Sequence, residues 1–376
     1  MKNNRSSYLS TRRDSWVEVN IGNVEHNIAE LKKFIPQNKK ILAVIKADAY
    51  GHGALMLAPT FIAGGISMLG VASLDEARQL REGGFDLPIL VLGASPIWAF
   101  DWAAENNITL SVFSEQHIIA CKQAFDKTGI KVPVHVKIDT SMNRIGIAPE
   151  AALKFISELH NNSAVSLEGI FTHFACAENR EITNRQIETF KNVTENVKNK
   201  ENLLIHCANT ATSIAYEDKL DFTNMVREGI GLYGLMPDLP QDVKIKPDLR
   251  QIIGLKARIV NIHEAQKNSG VSYSYSYKAP EKITIATIPV GYADGVPRAL
   301  SNKLTGKING KTIHQIGNIT MDQMMFDITN IDAHEGDIIT LLDEELSINN
   351  WAKELKTINY ELTCRLKVRL PRVYVR

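Results

Sequence analysis

The fold of this chain is constrained most by an alternation, between residues 40 and 230, of short apolar runs with longer segments of helical period. Parallel strands covered by helices are buried on both faces, so they appear as continuous runs rich in β-branched residues. The eight runs are KILAVIK (40–46), MLGVA (68–72), ILVLG (89–93), TLSVF (109–113), VHVKI (134–138), LEGIF (167–171), LLIHC (203–207) and NMVRE (224–228). Eight strands joined by helical crossovers predict an α/β fold, the (β/α)8 barrel. The alternative, an open doubly wound sheet, requires a glycine-rich first βα turn that the sequence lacks.

The helical period stops near residues 237–250, where a charged stretch bearing prolines marks a domain boundary. After it the pattern is mostly β, with strand-like runs at QIIGLKARIVNI (251–262), MMFDITN (324–330) and DIITLL (337–342). Asn309-Gly310 is typical of a two-residue hairpin turn between strands. A second, β-rich domain is therefore expected after the barrel.

These patterns divide the chain into three predicted parts. We expect a polar arm over residues 1–15, a barrel over residues 16–245 and a β-rich domain over residues 246–376. The run WVEVN (16–20) also reads as a strand, and it is a candidate for pairing with the distant β-rich domain.

Charge and cysteine content exclude several classes of partner. The 43 basic and 42 acidic side chains leave a net charge of +1, so no overall field favours nucleic acid or an anionic membrane. The charged N-terminus has no apolar run behind it, so it is neither a secretory signal nor a membrane anchor. The four cysteines lie far apart without a CxxC pair, which indicates neither a disulfide scaffold nor a metal site. A cytoplasmic protein with a small-molecule substrate is expected.

Lys46 is the first candidate for chemistry. Active sites of (β/α)8 barrels lie at the C-terminal ends of the strands, and Lys46 closes the first apolar run. A partly desolvated amine at such a mouth has a lowered pKa, which suits nucleophilic chemistry. Taken alone, however, a strand-end lysine more often reaches solvent.

The segment AVIKADAYGHG (43–53), together with features downstream, resembles the alanine racemase family over nearly the whole chain. Members of that family are fold-type III enzymes that depend on pyridoxal phosphate (PLP). The resemblance implies that Lys46 holds PLP as a Schiff base and that Tyr50 contacts the cofactor phosphate. Gly51 and Gly53 permit close backbone approach, and a phenol can donate to a phosphate oxygen.

The loops after the seventh and eighth runs, residues 206–212 and 226–234, lie where barrels of this type usually bind phosphate. The resemblance places Thr210 where the family commonly has a phosphate-binding serine, and threonine keeps the hydroxyl. It also implies that the backbone N–H groups of Gly229 and Ile230 hold the phosphate.

Arg227 indicates the kind of PLP chemistry. In the family this arginine hydrogen-bonds the pyridine nitrogen, where aminotransferases instead present a carboxylate. Guanidinium does not give up its proton, so the ring nitrogen stays unprotonated and PLP becomes a weaker electron sink. Racemisation is then favoured over transamination. The resemblance implies that His206 supports Arg227 and that His173 lies against the cofactor ring.

Three further residues are implied in binding. Arg144 approaches the phenolic oxygen of the cofactor and the substrate carboxylate, which an arginine can hold with two parallel bonds. Lys137 occupies a position that is carbamylated in some members of the family, which gives Arg144 a negative partner. Tyr360 binds phosphate and crowds the substrate side chain, which favours alanine over larger residues.

Racemisation needs a second base on the opposite face of the substrate, because one base mostly returns its own proton. By resemblance, Tyr273 in GVSYSYSY (270–277) serves the L enantiomer and Lys46 serves the D enantiomer. Free tyrosine has a pKa near 10, so a phenol in this role needs a cationic neighbour or hydrogen-bond donors. Tyr292 is expected to line the substrate entrance, and the Met321 backbone to contact the substrate carboxylate. In the family Tyr273, Tyr292 and Met321 come from the partner subunit, so a homodimer with shared active sites is implied.

The function implied is interconversion of L- and D-alanine, which in bacteria supplies D-alanine for peptidoglycan. Two alternatives within the fold are a racemase of broader specificity and a fold-type III PLP decarboxylase. Arg227 and Tyr273 argue against the decarboxylase, which usually has an acidic residue at the pyridine nitrogen. A non-catalytic PLP carrier would lack the β-rich domain.

Overall fold

A computed structural model describes residues 13–376 of the chain. Residues 1–12 of the predicted polar arm lie outside this described part. Arg13 already contacts the body of the protein, because its guanidinium lies 2.6 Å from the carboxylate of Asp294. The first strand, β1 (Ser15–Asn20), begins two residues later and belongs to the second domain described below.

Each of the eight apolar runs forms a strand, and these strands make one parallel sheet, so the predicted barrel is confirmed. The strands are β2 (Lys40–Val44), β3 (Met68–Val71), β4 (Ile89–Val91), β5 (Ile108–Val112), β6 (Val132–Lys137), β7 (Val165–Phe171), β8 (Leu204–His206) and β9 (Met225–Glu228). Nearly every residue in them is buried, which is why they read as continuous apolar runs.

The sheet closes on itself, which excludes the open doubly wound alternative. The last strand, β9, pairs in parallel with the first, β2. On its other side β9 reaches β8, since the Arg227 N–H donates to the Ala208 carbonyl oxygen (3.2 Å) and the Asn224 N–H donates to that of Ile205 (3.1 Å).

Most of the helices cover the outside of the barrel, the second along the chain lies at the mouth of the barrel, and the last two belong to the second domain. They are α1 (Ile21–Lys32), α2 (Lys46–Gly51), α3 (Ala54–Ala63), α4 (Leu74–Glu82), α5 (Phe100–Glu105), α6 (Glu115–Thr128), α7 (Pro149–His160), α8 (Arg180–Glu195), α9 (Thr210–Ala215), α10 (Ile348–Leu355) and α11 (Asn359–Arg365). Helix α8 illustrates the local cause. The Asn179 side chain caps it by accepting from the Ile182 N–H (3.1 Å), and Ile187 and Phe190 lie on its buried face. Burying a side chain such as Phe190 stabilises the fold by about 1.5–3 kcal/mol.

The second domain is built on a nine-stranded sheet in the order β11-β14-β17-β16-β15-β18-β10-β1-β19, with a separate two-stranded ribbon of β12 and β13. The strands are β10 (Ile253–Arg258), β11 (Asn261–Ala265), β12 (Gly270–Val271), β13 (Tyr277–Lys278), β14 (Ile283–Ile288), β15 (Thr305–Ile308), β16 (Lys311–Ile316), β17 (Met324–Asp327), β18 (Ile338–Leu342) and β19 (Arg372–Val375). Asn309 and Gly310 join β15 to β16 with φ values of +48° and +74°, as a two-residue turn of type I′ requires.

Strands from the two ends of the described range meet in this sheet. Strand β1 lies between β10 and β19, antiparallel to the first and parallel to the second. The C-terminal strand is thereby fixed beside the beginning of the barrel. Within residues 13–376, no helix combines the length and apolar character needed to span a bilayer.

Candidate active site

A cavity of about 700 Å³ opens at the C-terminal ends of the barrel strands, and residues from helix α11 of the second domain line it as well. Ten of the fourteen predicted site residues line this cavity. They are Lys46, Tyr50, Lys137, Arg144, His173, Thr210, Arg227, Gly229, Ile230 and Tyr360. His206 is buried behind Arg227, and three residues of the second domain lie elsewhere.

The segment after Lys46, given above as helix α2, is a left-handed turn whose backbone hydrogen bonds follow a helical pattern. Residues 47–50 all have φ between +52° and +55°. This conformation costs roughly 1–2 kcal/mol for each residue other than glycine. The surrounding structure must therefore hold the turn in place.

Contacts on both sides of the turn hold it. The Glu76 carboxylate accepts from the Ala47 N–H (2.7 Å) at its beginning. At its end the Arg372 guanidinium donates twice to the Gly51 carbonyl oxygen (3.0 and 3.1 Å), and the Tyr374 hydroxyl donates to the carbonyl oxygen of His52 (3.0 Å). Strand β19 of the second domain thus positions the backbone that follows Lys46.

The Lys46 amine is suited to act as a nucleophile and a base. Burial lowers its pKa, and the neighbouring Arg144 cation lowers it further. Glu76 and Cys364 have the opposite effect on this pKa, but burial is the largest cause. A larger fraction of the amine is therefore neutral at a given pH than for a solvated lysine.

Arg227 is buried at the end of β9, and five acceptor atoms from four residues on neighbouring strands and loops hold it. One Nη group donates to the Nδ1 atom (2.9 Å) and the carbonyl oxygen (3.1 Å) of His206. The other reaches the carbonyl oxygens of Thr172 (2.8 Å) and Cys207 (3.0 Å) and the Nδ1 atom of His173 (3.1 Å). The Nε–H makes no hydrogen bond to any residue of the described range, and Arg227 lines the cavity. Its remaining donor is therefore available to an acceptor in the cavity.

Burial determines the protonation states of Arg227 and of the two histidines that contact it. Burial lowers the pKa of Arg227 to about 10, so the guanidinium remains a cation at neutral pH. Burial and the Arg227 cation hold the pKa values of His173 and His206 well below their usual range. Both imidazoles are neutral, and their Nδ1 atoms accept hydrogen bonds from the arginine.

Another group of lining residues presents hydrogen-bond donors to an anion. Ile230 begins a 3-10 turn, so its N–H has no acceptor within the turn. The Tyr50 and Tyr360 side chains line the same cavity, and their ring centroids lie 6.1 Å apart. The Thr210 hydroxyl oxygen accepts from the Gly229 N–H (3.1 Å), which is thereby occupied in this structure. A Cβ atom at Gly229 would lie 3.1 Å from the Tyr50 hydroxyl, so glycine leaves room for that hydroxyl.

Lys137 is a buried cation without a carboxylate partner among the described residues. Its Nζ atom lies 4.7 Å from the centroid of the Phe171 ring. Burial lowers the pKa of Lys137 to about 7, and Arg227 and Arg144 contribute further. The neutral amine is thus well populated near neutral pH. Arg144 itself is exposed on the loop after β6 and lines the cavity.

Tyr273, Tyr292 and Met321 do not line the cavity of their own chain. They lie on the surface of the second domain and are 71%, 40% and 53% exposed. Their backbones are tied to one loop, because Asn318 donates to the Tyr273 carbonyl oxygen (2.7 Å) and the Tyr292 N–H donates to that of Thr320 (2.9 Å). Large side chains grouped on a surface in this way are typical of an interaction site.

Four residues that shape the site had not been predicted from the sequence. Tyr233 packs on Tyr50 with centroids 4.7 Å apart and donates to the Val44 carbonyl oxygen (2.8 Å). The others are Glu76, Arg372 and Tyr374, described above. Tyr233 belongs to the loop already singled out after the eighth run, whereas the other three carry no local motif.

Comparison with known proteins gives consistent matches over nearly the whole chain. Two family models match, that of the alanine racemase N-terminal domain over residues 19–237 and that of the C-terminal domain over residues 252–374. Alanine racemase 1 of Oceanobacillus iheyensis is 37% identical over 379 residues, which cover 98% of this chain and 100% of that protein.

Solved structures agree with these sequence matches. The structure of alanine racemase from Clostridium difficile has a TM-score of 0.90 and 38% sequence identity, with 96% of each chain covered. That of histidine racemase from Leuconostoc mesenteroides has the same TM-score of 0.90 and 31% identity, with 98% of this chain and 100% of that chain covered.

Proposed function

The chain belongs to the alanine racemase family, and from that premise we propose that its cavity interconverts L- and D-alanine with PLP held at Lys46. In bacteria this reaction supplies D-alanine for peptidoglycan. The observation that carries the proposal is the Arg227 Nε–H, which has no partner among residues 13–376 and is available to the cavity that Lys46 also lines.

The described residues fit PLP at each of its three polar groups. A pyridine nitrogen needs a donor, and Arg227 has one free N–H for it. A phosphate needs several donors, which the Ile230 N–H and the hydroxyls of Tyr50, Thr210 and Tyr360 supply. The aldehyde needs a primary amine, and Lys46 is the amine whose pKa burial lowers.

When bound, PLP withdraws electrons from the substrate Cα and makes its proton removable. Arg227 donates a hydrogen bond without releasing its proton, which keeps the ring nitrogen uncharged and limits electron withdrawal. This limit would favour return of the proton to Cα, as racemisation requires. Arg144 orients the substrate carboxylate by charge and by its two parallel donors. Lys46 would remove the proton on the D face as a neutral amine and return it from the ammonium form that results.

The proton on the L face is assigned to Tyr273 of a second copy of the chain. Tyr273 is 71% exposed and does not line the cavity of its own chain, which supports its assignment to the site of another subunit. We therefore propose a homodimer in which Tyr273, Tyr292 and Met321 complete the partner's site. The proposal also places the enzyme in the cytoplasm, where its four free cysteines stay reduced.

The Lys137 amine is proposed to carry a carbamate. Carbamate formation requires a neutral amine, and the pKa of Lys137 is lowered to about 7. The modification would turn an unpaired buried cation into an anion beside Arg144 and Arg227. This change removes the repulsion among three cations and gives Arg144 a negative partner.

The likeness to histidine racemase favours one second candidate, a racemase of broader specificity. Chiral analysis of L-alanine and L-histidine incubated separately with the PLP-loaded protein distinguishes the two. We expect alanine to be racemised much faster, because Tyr360 lines the cavity and its ring is proposed to crowd a larger side chain. Faster racemisation of histidine would establish the second candidate, and no racemisation of either would refute both. The Lys46→Ala variant, checked for folding by circular dichroism, is the matched control.

A further inference from the structure

His135 is a fully buried imidazole that the proposed mechanism does not use. It lies on β6 and is 0% exposed, and its Nδ1 atom is 2.9 Å from the Nε2 atom of His206. The Nε2 atom has no hydrogen-bond partner among the described residues. Gly169 on β7 makes room for the ring, since a Cβ atom there would lie 2.8 Å from that Nε2 atom. The ring is thus closely packed but carries an unpaired polar atom.

Arg227, His206 and His135 are joined by hydrogen bonds, and Arg227 determines which nitrogen of each imidazole carries the proton. A guanidinium can only donate, so the His206 Nδ1 atom must accept. Neutral His206 then carries its proton on Nε2 and donates it to the Nδ1 atom of His135. Neutral His135 in turn carries its proton on Nε2, where no acceptor is present.

The unpaired N–H of His135 has an energetic cost. A buried donor without an acceptor destabilises a fold by about 1–3 kcal/mol, and an apolar residue at this position would avoid that cost. His135 does not act as an acid or base near neutral pH, because burial, with Arg227 contributing, lowers its pKa to about 3. The charged groups near His135 and His206 are Arg227 and Lys137, and both are cations that disfavour protonation of these imidazoles.

We propose that His135 is a positioning residue for Arg227 and acts through the ring of His206. By accepting from the His206 Nε2–H, it fixes the orientation in which His206 Nδ1 holds the guanidinium. It also moves the unpaired N–H one residue away from Arg227. Without this acceptor, the Nε2–H of His206 itself would be unpaired. The His206 ring would then tilt to find another acceptor, and its Nδ1 atom would hold the Arg227 guanidinium less firmly. The inference rests on the proposed function in one respect, namely that the Arg227 Nε–H donates to the pyridine nitrogen of PLP.

The first test uses the protein without PLP and needs no activity. With ¹⁵N-labelled histidine, long-range ¹H–¹⁵N correlation spectra report the tautomer of each imidazole, and the His135→Asn and His206→Asn variants assign the two signals. We expect both rings to be neutral and protonated on Nε2. A His206 ring protonated on Nδ1, or on both nitrogens, would overturn the inference even if the enzyme is a racemase.

The second test compares His135→Leu with His135→Asn in the PLP-loaded enzyme. The Asn side-chain oxygen lies where Nδ1 was and still accepts from His206, whereas Leu does not. The readout is pyruvate released by abortive transamination per racemisation turnover, because a loosened Arg227 no longer restrains protonation at the wrong carbon. Loss of one hydrogen bond corresponds to roughly a 2- to 10-fold rise in this ratio for His135→Leu. His135→Asn is expected to stay near the ratio of the unmodified enzyme.

The ratio of pyruvate released to racemisation turnovers distinguishes a positioning role of His135 from a purely structural one. A structural role would lower the stability of the variants without changing the ratio. An unchanged ratio in His135→Leu, or an equal rise in both variants, would refute the inference. If His135→Leu does not fold, the tautomer measurement and His135→Asn still decide. If the unmodified enzyme racemises nothing, the proposed function fails while the tautomer result stands on its own.

Discussion

Arg372 is predicted to control the affinity for PLP from outside the cavity. Besides its two bonds to the Gly51 carbonyl oxygen, its guanidinium donates to the carbonyl oxygens of Leu366 (2.6 Å), Lys367 (2.6 Å) and Leu370 (2.7 Å). Lysine at this position keeps the charge but is a point donor that cannot span these four carbonyls. In Arg372→Lys we therefore expect the contact with Gly51 to be lost.

The magnitude follows from what the Gly51 contact restrains. A hydrogen bond to a charged group contributes about 1.5–3 kcal/mol, and residues 47–50 need such restraint to stay left-handed. If the turn relaxes, only the fraction of molecules that retains it binds PLP at Lys46, and the apparent Kd rises by the inverse of that fraction. The expected loss of affinity for PLP in Arg372→Lys is roughly 10- to 100-fold.

The assay is titration of PLP into the cofactor-free protein, followed by the visible absorbance of lysine-bound PLP. Arg369→Lys is the matched control, because Arg369 lies on the same segment but pairs with Asp294 (2.9 Å) and Asp322 (2.5 Å) and does not touch the turn. Tyr374→Phe, which removes one neutral hydrogen bond, is expected to weaken binding by roughly 2- to 10-fold. Unchanged PLP affinity in Arg372→Lys, or an equal loss in Arg369→Lys, would show that the turn does not depend on β19.

Three further outcomes are expected. Lys46→Ala abolishes both the visible band of lysine-bound PLP and racemisation in either direction, and a retained band would contradict the assignment of this residue. Tyr273→Phe slows racemisation by roughly 10²- to 10⁴-fold, and in deuterated water it still exchanges the α-proton of D-alanine but not that of L-alanine; equal exchange of both enantiomers would exclude the division of labour. With ¹³C-bicarbonate, a carbamate signal is expected that strengthens as the pH rises through about 7, the lowered pKa of Lys137. Lys137→Met should remove this signal, whereas Lys39→Met should keep it because the Lys39 amine is already paired with Glu217 (3.0 Å).

The barrel and the residues at its mouth could be predicted because their causes are local in sequence. Strands buried on both faces produce apolar runs, and all eight runs are strands. The residues at the ends of adjacent strands then meet by topology alone, which is why Lys46, Lys137 and Arg227 line one cavity.

The left-handed turn and its anchors could not be predicted in this way. Residues 47–50 contain no glycine, so nothing in their types indicates a positive φ. Two of the residues that hold the conformation, Arg372 and Tyr374, lie more than 300 positions away in the sequence. In the proposed dimer, the position of Tyr273 relative to the substrate depends on a second subunit, which the sequence pattern of one chain does not describe.

The central claim is that each active site takes Lys46 from one subunit and Tyr273 from its partner. Co-expression of Lys46→Ala and Tyr273→Phe chains with different affinity tags allows the hybrid dimer to be purified through both tags. Each hybrid contains one site with both residues intact and one site with neither. The account predicts about half of the unmodified racemase activity in the hybrid, while each parent dimer stays at the level of its single substitution. A hybrid no more active than its parents would contradict the shared site.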